Sequence, residues 1–84
     1  MNGIQSLNTL CPGETAVVSK LIAEGSIRRR LLDIGLVNGT QVECIGTSPY
    51  GDPSAYLIRG AVIAIRNEDC QGVLIKKAVA TKWD

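Results

Sequence analysis

The side chains best suited to chemistry in this sequence are three cysteines and a few carboxylates. Cys11, Cys44 and Cys70 are far apart, form no C-x-x-C pair, and are accompanied by no histidine anywhere in the chain. Catalysis of the Ser-His-Asp or Cys-His type is excluded, because it requires an imidazole base. Reduced thiols in a hydrophobic core are the simplest interpretation, since a thiolate metal site would need all three to converge.

Three carboxylates could hold a hard cation. Asp52, Glu68 and Asp69 offer oxygen ligands, but without the regular spacing of a calcium-binding loop. The phosphate-cradling patterns G-x-x-x-x-G-K-[ST] and G-x-G-x-x-G are also absent. We therefore expect no enzyme, no catalytic residue, no metal ligand and no resident cofactor, with a divalent ion on these carboxylates as the alternative.

The elements that would position these groups belong to one small domain. The chain has 84 residues, formal net charge +1 and 45% hydrophobic residues. This length supports one modest core over about residues 6–78, followed by a tail at 79–84 that includes Trp83. No signal-peptide pattern or long apolar run occurs, so we expect a cytoplasmic protein without direct membrane insertion.

Hydrophobic patterning predicts a mainly β fold. β-rich runs lie at residues 14–22, 41–48, around a hairpin centred on Gly60, and at 73–77. Ser26 is a candidate N-cap for a helix over 27–34, and Gly35 a candidate left-handed C-cap. Five short antiparallel strands with one short helix after the first predict a small closed barrel, because closure removes exposed strand edges.

The three consecutive arginines fall on different faces of this predicted helix. Arg29 lies opposite the predicted core stripe and could pair with Asp33. Arg30 borders the stripe, where its guanidinium could reach a carboxylate or a loop carbonyl. Arg28 shares the remaining flank with Leu32, an apolar residue beside a charge. We interpret Arg28 and Leu32 as a partner patch or a second packing surface. The core stripe consists of Ile27, Leu31 and Ile34.

The loop "SPYGDP" is the most distinctive one. Gly51 permits positive φ, Asp52 could bond the backbone two residues on, and Pro53 fixes the residue before it. A rigid Asx-type turn is one interpretation. The other is a recognition loop with Tyr50 at its tip and Asp52 beside it.

Nucleic-acid binding is not expected. The arginines fan around the helix, and Tyr50, Tyr56 and Trp83 are the only aromatic residues. A phosphate-binding surface needs converging cations with stacking aromatics.

Several motifs in order resemble the FeoA domain family, ferrous-iron transport protein A. They are R-L-x-x-x-G-L (Arg30, Leu31, Gly35, Leu36), then N-G-T, then P-x-G-D-P with Gly51 and Pro53, and R-G-x-x-I-A-I-R with Gly60. The resemblance implies an SH3-like barrel. It also makes these seven named residues a structural signature.

The resemblance further implies a cytoplasmic accessory of bacterial ferrous iron uptake. Its partner would be the membrane permease that carries a GTP-binding domain. The candidate contacts are the residues singled out above on the helix flank and in the loop: Arg28, Leu32, Tyr50 and Asp52. The alternative is a metal-sensing or nucleic-acid-binding regulator related to the C-terminal domain of iron-dependent repressors. Oligomeric state is left open.

Overall fold

The computed structural model describes residues 4–77 as one antiparallel sheet with a ten-residue helix against it. Residue 78 and the tail with Trp83 lie outside the described residues. The strands are β1 (Ile4–Ser6), β2 (Thr15–Leu21), β3 (Gln41–Thr47), β4 (Ser54–Ile58), β5 (Ala61–Ile65) and β6 (Val73–Lys77). The helices are α1 (Gly25–Ile34), α2 (Asn67–Cys70) and a 3₁₀ turn at Leu7–Thr9.

The sheet order is β1-β6-β2-β3-β4-β5, and every neighbouring pair is antiparallel. The predicted mainly β fold is confirmed. The helix was expected after the first strand, but it follows the second, β2, because the short β1 precedes it. The strand count of five was wrong, because β1 has only three residues, too few for a recognisable alternation. The expected closure is also incomplete, since within residues 4–77 β1 and β5 are the two ends of the ladder and do not pair.

The core is mostly aliphatic, with one aromatic side chain, Tyr56, and two thiols, Cys44 and Cys70. Alternation along β4 buries Ser54, Tyr56 and Ile58, which face the same side of the sheet. They pack with buried side chains of β2, β3, β6 and α1, including Val18, Val42, Leu31 and Ile75.

Strand β2 has two halves with different surroundings. Residues Thr15–Val17 pair with β3, and Val18 extends this pairing by bonds to Thr40 and Gly39. Beyond Val18 only β6 pairs with β2, across a register shift at Ser19. Helix α1 reaches the unpaired side, where Arg28 Nη1 donates to the Leu21 carbonyl at 3.1 Å.

The two ends of α1 differ in how well the sequence predicted them. Gly35 has φ of +113°, and the bonds from Gly35 N to Leu32 O and from Leu36 N to Leu31 O form a Schellman cap, as predicted. The predicted Ser26 N-cap is wrong: the helix begins at Gly25, Glu24 is the capping residue, and it makes no side-chain cap bond.

The hairpin turn between β4 and β5 packs against the end of α1. Arg59 and Gly60 both have positive φ, of 51° and 85°, as a two-residue type I′ turn requires. The Arg59 side chain covers Gly35, where an added Cβ would lie 2.9 Å from Arg59 Cδ. Gly35 therefore serves both the cap and this close contact.

None of the described helices is long and apolar enough to cross a membrane. The longest of them is α1.

Gly72 marks a second close contact, which the sequence did not reveal. Its carbonyl accepts bonds from Ile22 N and Ala23 N, and an added Cβ would lie 2.6 Å from Ala23 Cβ and 3.2 Å from Ala23 Cα. The segment after β2 and the segment before β6 therefore pack so closely that there is no space for a side chain at Gly72.

We expect Gly72→Ala to lower the free energy of unfolding by about 1–3 kcal/mol, because overpacking against backbone forces the chain to move. Urea denaturation measures the change. Gly46→Ala is the control, since a Cβ there meets nothing within 4 Å and its backbone is not in the positive-φ region. Equal stability of the two variants would contradict a tight Gly72–Ala23 contact.

Candidate functional site

Arg28 and Leu32 line a groove of about 270 Å³ between α1 and the second half of β2. We call it the α1–β2 groove. Three of its apolar lining residues differ in exposure: Leu36 is fully buried, whereas Leu32 and Val37 are 38% and 37% exposed. Lys20, Leu21 and Arg28 are further lining residues. The structure thus joins the predicted pair to two residues that sequence reasoning missed, Lys20 and Val37.

The charge of the α1–β2 groove is positive. Lys20 and Arg28 line it, and no Asp or Glu does. Among the described residues the ion pairs are Arg30–Asp69 and Lys77–Glu14, so neither groove cation is neutralised by a carboxylate. The bond to the Leu21 carbonyl fixes one nitrogen of Arg28 and leaves other N–H groups available.

The predicted core stripe of α1 (Ile27, Leu31 and Ile34) is less buried than expected. Leu31 is 1% exposed, Ile34 is half-buried and Ile27 is 39% exposed, so α1 buries only a narrow edge. The expected Arg29–Asp33 pair does not form. The side-chain hydrogen bonds of the three arginines within residues 4–77 are made by Arg28 and Arg30, and the Arg29 guanidinium makes none.

Arg30 joins α1 to α2. Its Nη2 donates to Asp69 Oδ2 at 2.7 Å, and the Asp69 side chain is 8% exposed against 63% for Arg30. The prediction that Arg30 reaches a carboxylate from the border of the core stripe is therefore confirmed. Asp69 is a structural partner of this arginine.

Tyr50 and Asp52 lie on a different part of the surface and line no part of the α1–β2 groove. Tyr50 is 94% exposed at the tip of the β3–β4 loop, where Gly51 has φ of +84°. Asp52 Oδ1 accepts from Asn67 N at 3.0 Å, which ties this loop to the start of α2. The expected Asx turn is wrong, because the carboxylate bonds a residue 15 positions on.

The cysteines divide by burial. Cys44 and Cys70 are buried, as expected for core thiols, whereas Cys11 is exposed. Burial raises the pKa of Cys70 from 9.0 to about 11 and also raises the pKa of Cys44. Cys70 Sγ lies 3.6 Å from the Tyr56 hydroxyl, whose pKa is likewise raised by burial. Both buried thiols are held in the neutral form.

No group of three or more Cys, Asp or Glu side chains within residues 4–77 is arranged to hold a metal ion. Asp52 and Asp69, two of the three candidate carboxylates, are engaged by Asn67 and Arg30.

Comparison with known proteins decides the family. The model of the FeoA domain matches residues 5–77. The chain belongs to the FeoA domain family. A relative from Porphyromonas gingivalis, the Fe(2+) transport protein A/Fe(2+) transporter FeoB fusion protein, is 29% identical over 70 residues. The aligned segment covers 83% of this chain but only 8% of the relative. The name of the relative links the family to ferrous iron transport.

Solved FeoA structures share the fold. A FeoA-like protein from Clostridium acetobutylicum superimposes with a TM-score of 0.87 at 26% identity, covering 100% of this chain and 98% of that one. The zinc complex of Stenotrophomonas maltophilia FeoA, described as an SH3 domain protein, gives 0.77 at 26% identity over 86% and 89%. The predicted SH3-like fold is therefore confirmed.

A manganese-dependent transcriptional repressor shares the fold alone. It is 15% identical, with a TM-score of 0.82 over 93% of this chain and 38% of that chain.

We expect Arg30→Gln to lower the free energy of unfolding by about 1–2 kcal/mol. The substitution leaves the Asp69 carboxylate nearly buried without its charged partner, and the exposure of the guanidinium limits the loss. Thermal or urea denaturation measures it. Arg29→Gln is the matched control on the same helix, and an equal effect of both substitutions would show that the ion pair contributes nothing.

We expect one thiol to react with iodoacetamide in the folded protein at pH 8, and three after denaturation in urea. Cys11 is exposed, whereas burial keeps Cys44 and Cys70 inaccessible and neutral. Mass spectrometry counts the adducts and locates them. Rapid labelling of Cys70 in the folded state would contradict the packing of the core.

The same burial has a consequence at high pH. A thiol whose pKa is raised on folding stabilises the fold below its unfolded pKa, and this contribution is lost as the pH rises through the folded value. The free energy of unfolding should therefore decline as the pH rises from 9.0 to 11, because burial raises the pKa of Cys70 from 9.0 to about 11.

Proposed function

We propose that this FeoA-family domain is a non-catalytic binding module of ferrous iron uptake. Its proposed partner is a cytoplasmic part of the membrane iron permease that carries the GTP-binding domain. The observation that carries the proposal is the P. gingivalis relative, in which a matching segment and the transporter share one chain. Covalent linkage keeps two domains at a high effective concentration, which favours a contact between them.

A binding module needs a preformed surface, and the described residues supply one. α1 is held by its C-cap, by the Arg28–Leu21 bond and by the Arg30–Asp69 ion pair. A partner that binds beside such an anchored helix causes little loss of conformational entropy in this domain. A cytoplasmic location follows from the proposed partner.

We place the main contact at Arg28 and Leu32. Leu32 and Val37 expose apolar surface in the groove that the buried Leu36 also lines, and such a groove can hold one anchoring side chain. Tyr50 is the second proposed contact, because a fully exposed aromatic ring at a loop tip can add contact area at a low entropic cost. Asp52 supports that loop through its bond to Asn67.

We expect Leu32→Gln to weaken binding of the purified cytoplasmic part of the permease by roughly tenfold, equivalent to about 1.4 kcal/mol. Ile27→Gln is the matched control, because Ile27 is equally exposed on the same helix but lines a different groove. Biolayer interferometry gives both dissociation constants, and circular dichroism confirms that the variants fold.

Two results would contradict this placement. Equal binding by Leu32→Gln and wild type, with weaker binding by Tyr50→Ala, would move the contact to the β3–β4 loop. No binding by wild type at micromolar concentration would overturn the proposed function.

A further inference from the structure

We propose that the α1–β2 groove binds an acidic segment of the partner that carries an aliphatic side chain. The proposal rests on the proposed function, since the segment would belong to the cytoplasmic part of the permease. It adds the chemistry by which the groove selects its occupant.

The apolar part of the groove fits one aliphatic side chain. Leu36 is fully buried, and the partly exposed Leu32 and Val37 are also lining residues. Its volume of about 270 Å³ lies below the 300–1,000 Å³ typical of small-molecule pockets. A side chain presented by a protein segment therefore suits it better than a free metabolite.

The charged part of the groove selects for carboxylates. Lys20 and Arg28 are its charged lining residues, and neither forms an ion pair within residues 4–77. Two uncompensated cations beside apolar surface attract an Asp or Glu that flanks the aliphatic anchor and disfavour a basic segment.

Arg28 is positioned for this role by the fold. Its Nη1 donates to the carbonyl of Leu21 on the side of β2 that has no strand partner. This bond restrains the side chain, so fewer rotamers are lost when the remaining N–H groups bind a carboxylate.

The groove on the other side of α1 lacks this preference. It is lined by Arg30, Arg66, Glu68 and Asp69, two charges of each sign, and Arg30 already pairs with Asp69. We assign the acidic segment to the α1–β2 groove because that groove has a net positive charge. A nucleic acid fits poorly, because the α1–β2 groove offers two cations and no aromatic ring for stacking.

Lys20→Glu and Arg29→Glu test the proposal as a matched pair. Both substitutions change the charge by the same amount at exposed positions, and only Lys20 lines the groove. We expect Lys20→Glu to weaken binding of the permease's cytoplasmic part by roughly tenfold and Arg29→Glu by less than about twofold. Binding of wild type should also weaken between about 50 and 300 mM NaCl, because the Debye length falls from about 14 Å to about 6 Å over this range.

Amide shifts of the ¹⁵N-labelled wild-type domain supply a measurement that needs no variant. On addition of the permease's cytoplasmic part, the largest shifts should fall at Lys20, Leu32 and Val37. Shifts concentrated elsewhere, or equal effects of the two charge reversals, would overturn the acidic-segment proposal while leaving the proposed function intact. Absence of any binding by wild type would overturn both.

Discussion

The structure depends on how the second half of β2 is covered. β3 pairs with β2 only as far as Val17, with two further backbone bonds at Val18, so the remaining residues have a strand on one side only. A bare edge would leave polar backbone groups unpaired and open to aggregation. Helix α1 lies beside this edge across the α1–β2 groove, and Arg28 donates a hydrogen bond to the carbonyl of Leu21.

The attachments of α1 follow from that position. Leu31 enters the core, Gly35 ends the helix and packs beneath Arg59, and Thr40 Oγ1 donates to the Gly35 carbonyl at 2.9 Å. Arg30 adds the bond to Asp69 of α2. The helix is therefore attached to the core, to the β4–β5 turn, to Thr40 before β3 and to α2, although most of its surface is exposed.

The same attachments separate the three adjacent arginines. Arg28 bonds the carbonyl of Leu21 in β2, Arg30 pairs with a nearly buried carboxylate, and the Arg29 side chain forms no ion pair within residues 4–77. A sequence with three consecutive positive charges thus presents only one of them, together with Lys20, to the α1–β2 groove. The groove therefore carries a local positive charge, although the formal net charge of the chain is only +1.

The sequence by itself determined most of the regular elements, although not β1 or the N-cap of α1. Alternation placed β2 to β6 within a few residues, Gly35 marked the helix end, and Gly60 marked the hairpin, because these signals depend only on backbone geometry and side-chain periodicity. Helical periodicity placed Arg30 at the edge of the core, and the family motifs then indicated the SH3-like fold.

Only the tertiary structure decided which distant residues meet. It joined Lys20 and Val37 to Arg28 and Leu32, and it tied Asp52 to Asn67 in place of a local turn. It also revealed the contact of Gly72 with Ala23. These pairings depend on where β3 stops along β2 and on how the sheet folds around its core, and neither is encoded in any short stretch of sequence.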